Sequence, residues 1–425
     1  MTTRRTFLLL AGSGLAATAS GCREPADPTA AAPPSAAPPS AATSPSADPP
    51  DVLIAETERG LVRLAPTGEQ ALGPAAAAFD GAHLYTAGAG DLVQIDPATG
   101  AAVRKTTVGG GWLPRAISTD GRACALGRTP ATVQPAARAR STLLIAGPAG
   151  NREYDLPGVV EPDAFTSDGQ GLFVLEWFPA AAPDRYRVRK LDLGSSRLDP
   201  LFTRNKTPVP AGAEEEMRGE GRQAVLSADG QMLFTLYTHQ PGHAHTRDLV
   251  SGRPGNAHAF VHVLHLTEGW AYCLDLPHPF GEGKAASCAL AANARHLAVV
   301  DLSAGKMAYA SPSALTIERV VDVPPAADGI AALVLTPDGR TLVGSGDLVT
   351  VLDTSAVDTG AVDTSTDAQA ARWSVPGPIR GMGLSRDGKR LYAGGEGRVT
   401  WLDAAAGTQL GHVAVPGLTA LRHVP

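Results

Sequence analysis

The sequence predicts an all-β fold built from one repeated four-stranded unit. Three observations predict it: a turn signal recurs between short apolar runs, its copies are separated by 40 to 64 residues, and no long amphipathic helical pattern interrupts the series. The turn signals are Asp80-Gly81, Asp120-Gly121, Asp168-Gly169, Asp229-Gly230, Asp338-Gly339 and Asp387-Gly388, with Asn293-Ala294 as a degenerate copy. Glycine tolerates the positive φ that a tight hairpin turn requires.

Each unit is predicted to contain strand A, the Asp-Gly turn, strand B, a loop, strand C, a Gly turn and strand D. Repeated four-stranded units of this length are typical of a β-propeller. Residues 52–73 supply strands B, C and D without a preceding A, and residues 418–425 have the pattern of an A strand. The C-terminal strand is therefore expected to complete the N-terminal blade and close the ring. Seven complete units and this composite give eight blades; seven blades is the alternative, because the unit around Asn293 is degenerate.

Two segments resemble a known repeat. Residues 335–342 (Leu-Thr-Pro-Asp-Gly-Arg-Thr-Leu) and 384–392 (Leu-Ser-Arg-Asp-Gly-Lys-Arg-Leu-Tyr) resemble the YVTN-type and WD-like repeats of bacterial β-propellers. The resemblance covers nearly all of residues 52–425. It implies the fold and leaves the function open, since propellers carry many activities.

The N-terminal residues predict an export signal followed by a linker. Arg4 and Arg5 precede a short apolar stretch, and residues 1–21 resemble a twin-arginine export signal. Residues 19–22 resemble the lipobox of bacterial lipoproteins, with Ala19 where that family prefers Leu, and this implies acylation of Cys22. The alternative is a chance basic pair on a general secretory signal. Residues 22–51 are rich in Pro, Ala and Ser and are expected to form a disordered linker before a propeller at 52–425. We therefore expect a protein that is exported and lipid-anchored to the outer face of the cytoplasmic membrane, in the cell envelope.

Composition excludes several classes of protein. The chain has 425 residues, of which 44% are hydrophobic and 18% charged, so it can form a packed core and is neither a coiled coil nor mostly disordered. A polytopic membrane protein is not expected, because there is no apolar run of about 18 residues. The net charge of −6 argues against nucleic acid as a partner, since nucleic-acid binding requires a basic face.

The predicted long connections lie on one face of the ring. They are the B–C loops 128–141, 176–187 and 238–257 and the D–A loop 205–222, all in the third to fifth blades, whereas the A–B and C–D turns are expected to be short throughout. Insertions on one face of a repeat fold favour a binding face. The alternative is tolerated drift in loop length.

The candidate residues of this face differ in chemistry from loop to loop. Basic and aromatic groups are expected beside acidic ones, with Trp and Tyr as amphipathic contact residues; the alternative is a solvated surface of mutually screening charges. The candidates are Arg138, Arg140, Trp177, Phe178, Arg185, Tyr186, Glu214, Glu215, Glu216, His239, His243 and His245.

No metal site or other cofactor is predicted. Six of the eleven histidines lie between His239 and His265, but their spacing matches no standard metal motif, and no cysteine or paired carboxylate is interleaved. His239, His243 and His245 are the only candidate ligands. Cys124, Cys273 and Cys288 are expected to be buried small hydrophobic residues, since a bridge between Cys273 and Cys288 would join an outer strand to the next inner strand.

The resulting prediction is a monomeric binding scaffold for a partner protein or an extracellular ligand. Two enzyme classes with the same architecture are the alternatives. A lactonase-like hydrolase would use groups such as Glu161, Asp163, Arg222 and Arg380 near the D–A loops. A quinone-dependent oxidoreductase is suggested only by residues 95–100, which resemble its Asp-x-x-Thr-Gly repeat but lack the tryptophan that follows in that family.

Overall fold

The computed structural model describes residues 48–210, 212–326, 329–353 and 369–425. The predicted export signal with Arg4 and Arg5, the acylation site Cys22 and the predicted linker as far as residue 47 lie outside the described residues. Among the described residues, no helix is long and apolar enough to span a membrane.

Eight antiparallel sheets form the eight blades of a propeller, which confirms the predicted fold and blade number. The first four blades contain these strands: β33 (Leu418–His423), β1 (Leu53–Thr57), β2 (Gly60–Ala65) and β3 (Gly68–Gly73); β4 (Ala75–Ala77), β5 (Leu84–Gly88), β6 (Asp91–Ile95) and β7 (Ala102–Thr107); β8 (Leu113–Ile117), β9 (Cys124–Gly127), β10 (Arg140–Gly147) and β11 (Gly150–Pro157); β12 (Val159–Phe165), β13 (Gly171–Phe178), β14 (Arg185–Asp192) and β15 (Leu198–Pro200).

The fifth to eighth blades continue in the same order. Their strands are β17 (Gln223–Leu226), β18 (Met232–Tyr237), β19 (Phe260–His265) and β20 (Trp270–Asp275), with β16 (Phe202–Thr203) as a fifth, parallel strand beside β20; β21 (Cys288–Ala292), β22 (Leu297–Asp301), β23 (Lys306–Ser311) and β24 (Thr316–Asp322); β25 (Ala332–Leu335), β26 (Arg340–Ser345), β27 (Leu348–Asp353) and β28 (Gln369–Ser374); β29 (Met382–Leu384), β30 (Arg390–Gly395), β31 (Arg398–Asp403) and β32 (Gln409–Ala414). The helical elements described are α1 (Thr246–Ser251) and a single 3₁₀ turn, Ala285–Ser287.

The ring closes through β33, as the sequence predicts. This strand pairs antiparallel with β1, with Ile54 opposite His423 and Thr57 opposite Leu418. Leu418 and Leu421 are buried in one cluster with residues of β1 and of the eighth blade, including Tyr392 and Trp401. The last strand of the chain is therefore the inner strand of the first blade, and it leaves no unpaired inner edge on β1.

Five of the Asp-Gly turns share a hydrogen-bonding scheme that reaches two residues upstream of the aspartate. Ser118 Oγ donates to Asp120 Oδ1 at 2.6 Å, and the same carboxylate oxygen accepts from Arg122 N at 3.0 Å. Equivalent Ser or Thr hydroxyls precede Asp168, Asp229, Asp338 and Asp387. In the degenerate copy, Asn293 Oδ1 accepts from the amides of Arg295 and His296, both at 2.8 Å. This side-chain amide replaces the aspartate, so the sixth blade keeps the turn despite its altered sequence.

Apolar side chains of neighbouring sheets pack face to face and form the core between the blades. One such cluster joins Leu342 and Val351 of the seventh blade to Leu391 and Leu402 of the eighth. Full burial of each such side chain contributes about 1.5–3 kcal/mol relative to exposure. Because each blade packs mainly against its two neighbours, the ring is stabilised by a series of similar interfaces.

One expectation about the turns is wrong. The C–D connection of the seventh blade runs from β27 to β28 and comprises residues 354–368, so it is not short. Those residues lie outside the described part of the chain. The B–C and D–A insertions of the third to fifth blades are present as expected, although their boundaries differ from the predicted ones, most of all in the second.

Candidate functional site

Four connections rise from one face of the third to fifth blades. They follow β9, β13, β16 and β18, and comprise residues 128–139, 179–184, 204–222 and 238–259. The second is shorter than predicted, because β13 extends to Phe178 and β14 begins at Arg185. Trp177, Phe178, Arg185 and Tyr186 therefore lie in strands, and their predicted place in a loop is wrong.

The aromatic residues of these two strands are mainly core residues. Trp177 and Tyr186 are 4% and 0% exposed, so neither is the surface contact residue that the sequence suggested. Their ring centroids are 4.6 Å apart, and Tyr186 Oη donates to Tyr237 Oη at 2.7 Å. Burial raises the pKa of both tyrosines. These rings form a buried aromatic layer beneath the insertions.

An amphipathic patch lies at the surface beside this buried aromatic layer. Phe178 is half-buried, with the Arg185 guanidinium 5.0 Å from its ring centroid. Arg185 also pairs with the exposed Glu216 at 2.8 Å. Stacked aromatic and guanidinium groups beside a carboxylate are suited to contact a polar partner.

The two candidate arginines of the third blade have different roles, and only Arg138 lies in the first insertion, because Arg140 begins β10 and its predicted place in a loop is wrong. Arg138 pairs with the buried Glu161 and donates to Ser141 Oγ at 2.7 Å, so it holds the insertion onto the fourth blade. Arg140 pairs with Asp155 at 2.7 Å, and both side chains are 56% exposed. An exposed pair of this kind contributes at most about 1 kcal/mol.

Glu214 fixes the third insertion to β14. Its Oε1 accepts from Arg189 Nε at 2.8 Å, and its Oε2 accepts from Arg189 at 2.6 Å and from Arg187 at 2.9 Å. Three residues on, Met217 exchanges backbone hydrogen bonds with Tyr186 at 2.8 and 2.9 Å. The chain between these two attachments is short, so the position of Glu215 is tightly defined.

Glu215 lies at the centre of a cluster drawn from three segments of the chain. Its Oε2 is 3.2 Å from His243 Nε2, 3.3 Å from His245 Nδ1 and 2.9 Å from Cys273 Sγ. The ligand atoms of these four residues all lie within 4.8 Å of one another. Both imidazoles and the thiol are buried, and the Glu215 side chain is 16% exposed. Groups of this type at this spacing can hold a metal ion.

His245 is held by carboxylates on both ring nitrogens. Its Nε2 lies 2.5 Å from Asp275 Oδ1, opposite the Nδ1 contact with Glu215. Burial opposes the charged imidazolium, but the hydrogen bonds that the imidazolium donates to Asp275 and Glu215, with the charges of these carboxylates, outweigh it and raise the pKa of His245 to about 9. His245 also caps α1, where Asp248 accepts from its backbone amide at 3.3 Å.

His243 is oriented by its other nitrogen and by packing. Its Nδ1 lies 3.1 Å from the carbonyl oxygen of Glu216, and its ring stacks on Phe260 with centroids 4.4 Å apart. Its backbone bridges to Ala257 across the insertion. Gly255 permits this close approach, because a Cβ there would lie 2.3 Å from the His243 carbonyl oxygen.

The sequence identified only part of this cluster. His243 and His245 come together, but the third candidate, His239, points elsewhere: its Nε2 is 2.6 Å from Gly283 O and its Nδ1 is 2.9 Å from Thr238 Oγ1. No cysteine or paired carboxylate is interleaved with the histidines in the sequence, but a cysteine and a carboxylate join them in three dimensions. Glu215 and Cys273 arrive from the preceding insertion and from β20, and no local spacing signals their approach.

The charged residues proposed for a hydrolase are engaged between blades. Glu161 of β12 pairs with the buried Arg115 of β8, and Asp163 pairs with Arg222 at 2.6 Å. Arg380 donates to the carbonyl of Leu418 at 3.3 Å. These contacts give each of the four residues a role in joining one blade to the next.

An open cavity of about 590 Å³ adjoins the cluster. Its lining includes Arg247, Asp248, Arg253 and Asn256. Arg247 pairs with Asp275 at 3.0 Å, and Asp275 in turn contacts His245 of the cluster. The insertion-rich face thus combines an exposed aromatic and basic patch, a cavity with two guanidinium groups and a buried His-Cys-Glu cluster.

Comparison with known proteins bears on the fold alone. No protein-family model matches the chain, and no curated protein matches it in sequence. Among solved structures, the chain is similar to dihydro-heme d1 dehydrogenase NirN in complex with DHE (15% identity, TM-score 0.45, covering 87% of this chain and 74% of that one). It is also similar to apo AztD from Citrobacter koseri (11% identity, TM-score 0.48, 86% and 95%) and to the Cps50 (Swd1) β-propeller domain of Myceliophteria thermophila (14% identity, TM-score 0.39, 74% and 90%). At these identities, none of the activities of those proteins transfers to this chain, which is an eight-bladed β-propeller.

Proposed function

We propose that this chain is an exported β-propeller lipoprotein with YVTN-type repeats, which acts as a binding scaffold at the cell envelope. The insertion-rich face of the third to fifth blades engages a partner protein or an extracellular ligand. Acylation of Cys22 tethers the protein, and residues 22–51 hold the propeller away from the membrane as a spacer of about 90 Å if fully extended as polyproline II.

One observation carries the binding role. The insertions are long on one face only of three adjacent blades, and they are held in defined positions by the Glu214–Arg189 pair, the Tyr186–Met217 bridge and the His243–Ala257 bridge. Insertions that merely drift in length have no requirement for such a network. A structured, chemically varied face on a rigid ring is typical of a recognition surface.

The proposed export and membrane attachment are tested by fractionation of cells that express the full chain. Replacement of Arg4 and Arg5 by Lys preserves charge and is expected to stop export if the twin-arginine signal is used. Cys22→Ala is expected to leave export intact but to release the protein into the soluble envelope fraction. Unchanged membrane association of Cys22→Ala would contradict acylation at this residue.

The binding face is tested by capture from a membrane extract of the producing cells. Arg185→Glu and Glu216→Lys reverse charges in the exposed patch, and Arg386→Glu, on an exposed Asp-Gly turn of the opposite face, is the matched control. We expect the first two variants to lose partners that the wild type and the control retain. The same set of captured partners from all four proteins would refute a role for this face.

A further inference from the structure

The cluster around Glu215 has the geometry of a metal centre. We propose that Glu215, His243, His245 and Cys273 bind one Zn²⁺ ion, with one oxygen, two nitrogens and one sulfur as ligands. This inference goes beyond the scaffold role and does not depend on export or on a partner.

The arrangement of donors around one oxygen is the first support. Both imidazoles and the thiol converge on Glu215 Oε2, and the two N···O distances, 3.2 and 3.3 Å, are longer than the usual 2.9–3.0 Å of such hydrogen bonds. Two nitrogens, one sulfur and one carboxylate oxygen thus surround one small volume. Zn²⁺ bonds of about 2.0–2.3 Å give tetrahedral edges of about 3.3–3.8 Å, and the largest separation in the cluster is 4.8 Å. Uptake of the ion therefore requires shifts of up to about 1 Å: the most distant donor atoms close, whereas Cys273 Sγ and Glu215 Oε2, now 2.9 Å apart, separate.

The chemistry of the donors selects the ion. Mg²⁺ and Ca²⁺ prefer all-oxygen sites, whereas imidazole and thiolate ligands suit Zn²⁺. Zn²⁺ binds the thiolate and the unprotonated imidazole nitrogens, so its uptake releases the Cys273 thiol proton and any proton carried by the two ligating nitrogens.

The surroundings supply the outer contacts that zinc-bound histidines make. His245 Nε2 faces Asp275, and His243 Nδ1 faces the Glu216 carbonyl, so each ring presents its other nitrogen to the centre. Such contacts fix the tautomer and the orientation of a ligating imidazole. The partly exposed Glu215 and Asp275 side chains provide the route from solvent.

The test uses the full chain carrying Cys22→Ala, which removes the one cysteine outside the propeller. After treatment with EDTA, the protein is titrated with Co²⁺ and with Zn²⁺. We expect one Co²⁺ per chain, with the intense visible bands of a tetrahedral site and a near-ultraviolet thiolate-to-cobalt band, both of which one equivalent of Zn²⁺ abolishes. Weak octahedral bands, or a tetrahedral spectrum without the thiolate band, would overturn the proposal whether or not any variant folds.

Variants assign the ligands. Cys273→Ser should lose the thiolate band, and His243→Gln or His245→Gln should weaken Zn²⁺ binding by more than a hundredfold in competition with a chelating dye. Asp275→Asn, which removes a positioning residue, should weaken it tenfold to a hundredfold. Cys288→Ser and His278→Gln remove a buried thiol and an exposed imidazole outside the cluster and should bind as the parent does. Equal binding by the cluster variants and these controls would place the ion elsewhere and refute the assignment.

Discussion

Leu421→Ala tests the closure of the ring. Leu421 is 5% exposed on β33, where it packs against the first and eighth blades. Removal of a buried leucine side chain to Cβ costs about 2–5 kcal/mol, and the upper part of that range applies where the surroundings cannot collapse into the cavity. Here the space is bounded by the backbone at Gly394, where a Cβ would lie 2.9 Å from Leu421 Cβ. We therefore expect a loss of about 3–5 kcal/mol.

Leu410→Ala is the matched control. Leu410 lies on the outer strand β32 of the neighbouring blade and is 47% exposed, so its truncation should change stability by about 0.5 kcal/mol or less. The assay is urea-induced unfolding followed by tryptophan fluorescence, to which Trp401, in the same buried cluster as Leu421, contributes directly. Equal shifts in the unfolding midpoint of the two variants would refute the reasoning that β33 is a packed inner strand.

Three further predictions concern buried polar groups and one close approach. Glu161→Gln leaves the buried Arg115 and its neighbour Arg138 without their shared carboxylate and should destabilise the fold by about 3–5 kcal/mol in urea unfolding, whereas replacement of both Glu161 and Arg115 by Leu should recover the part of that loss that comes from Arg115. Burial lowers the pKa of His262 to about 4, so the unfolded chain takes up a proton below about pH 6.5 that the folded chain does not. Stability should therefore fall as pH is lowered through this window, and His262→Leu should reduce the loss between pH 7 and pH 5 by about 2 kcal/mol; an unchanged difference between the two pH values would contradict a neutral His262. Gly255→Ala forces a Cβ towards the His243 carbonyl and should cost about 1–3 kcal/mol in the same unfolding assay. Gly150→Ala is the comparison variant. An added methyl group there would meet no atom within 4 Å, but φ is +99°, so this variant measures backbone strain alone, whereas Gly255→Ala measures the close contact.

The fold could be predicted because its signals are local and repeated. Each Asp-Gly turn is decided by adjacent residues, and the six regular copies outweigh the degenerate copy at Asn293. The closure by β33 also follows from pattern, since the N-terminal unit lacks an A strand. The Ser or Thr two residues before most of these aspartates is visible in the sequence, but only the structure shows that its hydroxyl belongs to the turn.

The candidate site could be predicted only in part, because it depends on contacts between distant segments. The spacing of His243 and His245 is visible in the sequence, but Glu215 is 28 residues before His243 and Cys273 is 28 residues after His245. Their approach requires the attachment of Glu214 to β14 and the pairing of β20 with β19.

The aromatic residues of the second insertion show a related difficulty. Between Trp177 and Tyr186 the sequence contains Pro179, Pro183 and Asp184, which are typical of a loop, and nothing local shows how close to them the two strands extend. Only the packing of the fifth blade against the fourth reveals that alternate residues at these strand ends are buried. Burial on a strand face is therefore decided here by a neighbouring sheet that the local sequence does not specify.

The position of β1 has a mechanical consequence. The chain that precedes Asp51 enters the ring at this strand, which is hydrogen-bonded on both sides, to β2 and to β33. Asp51 itself is clasped by Arg390, at 2.7 and 3.0 Å, and by Tyr392 Oη at 2.6 Å. Force transmitted through the preceding segment would therefore act on the Asp51 contacts and on a strand that is paired on both sides, not on an edge strand. A propeller held by this segment would resist extension at the point where the tension enters.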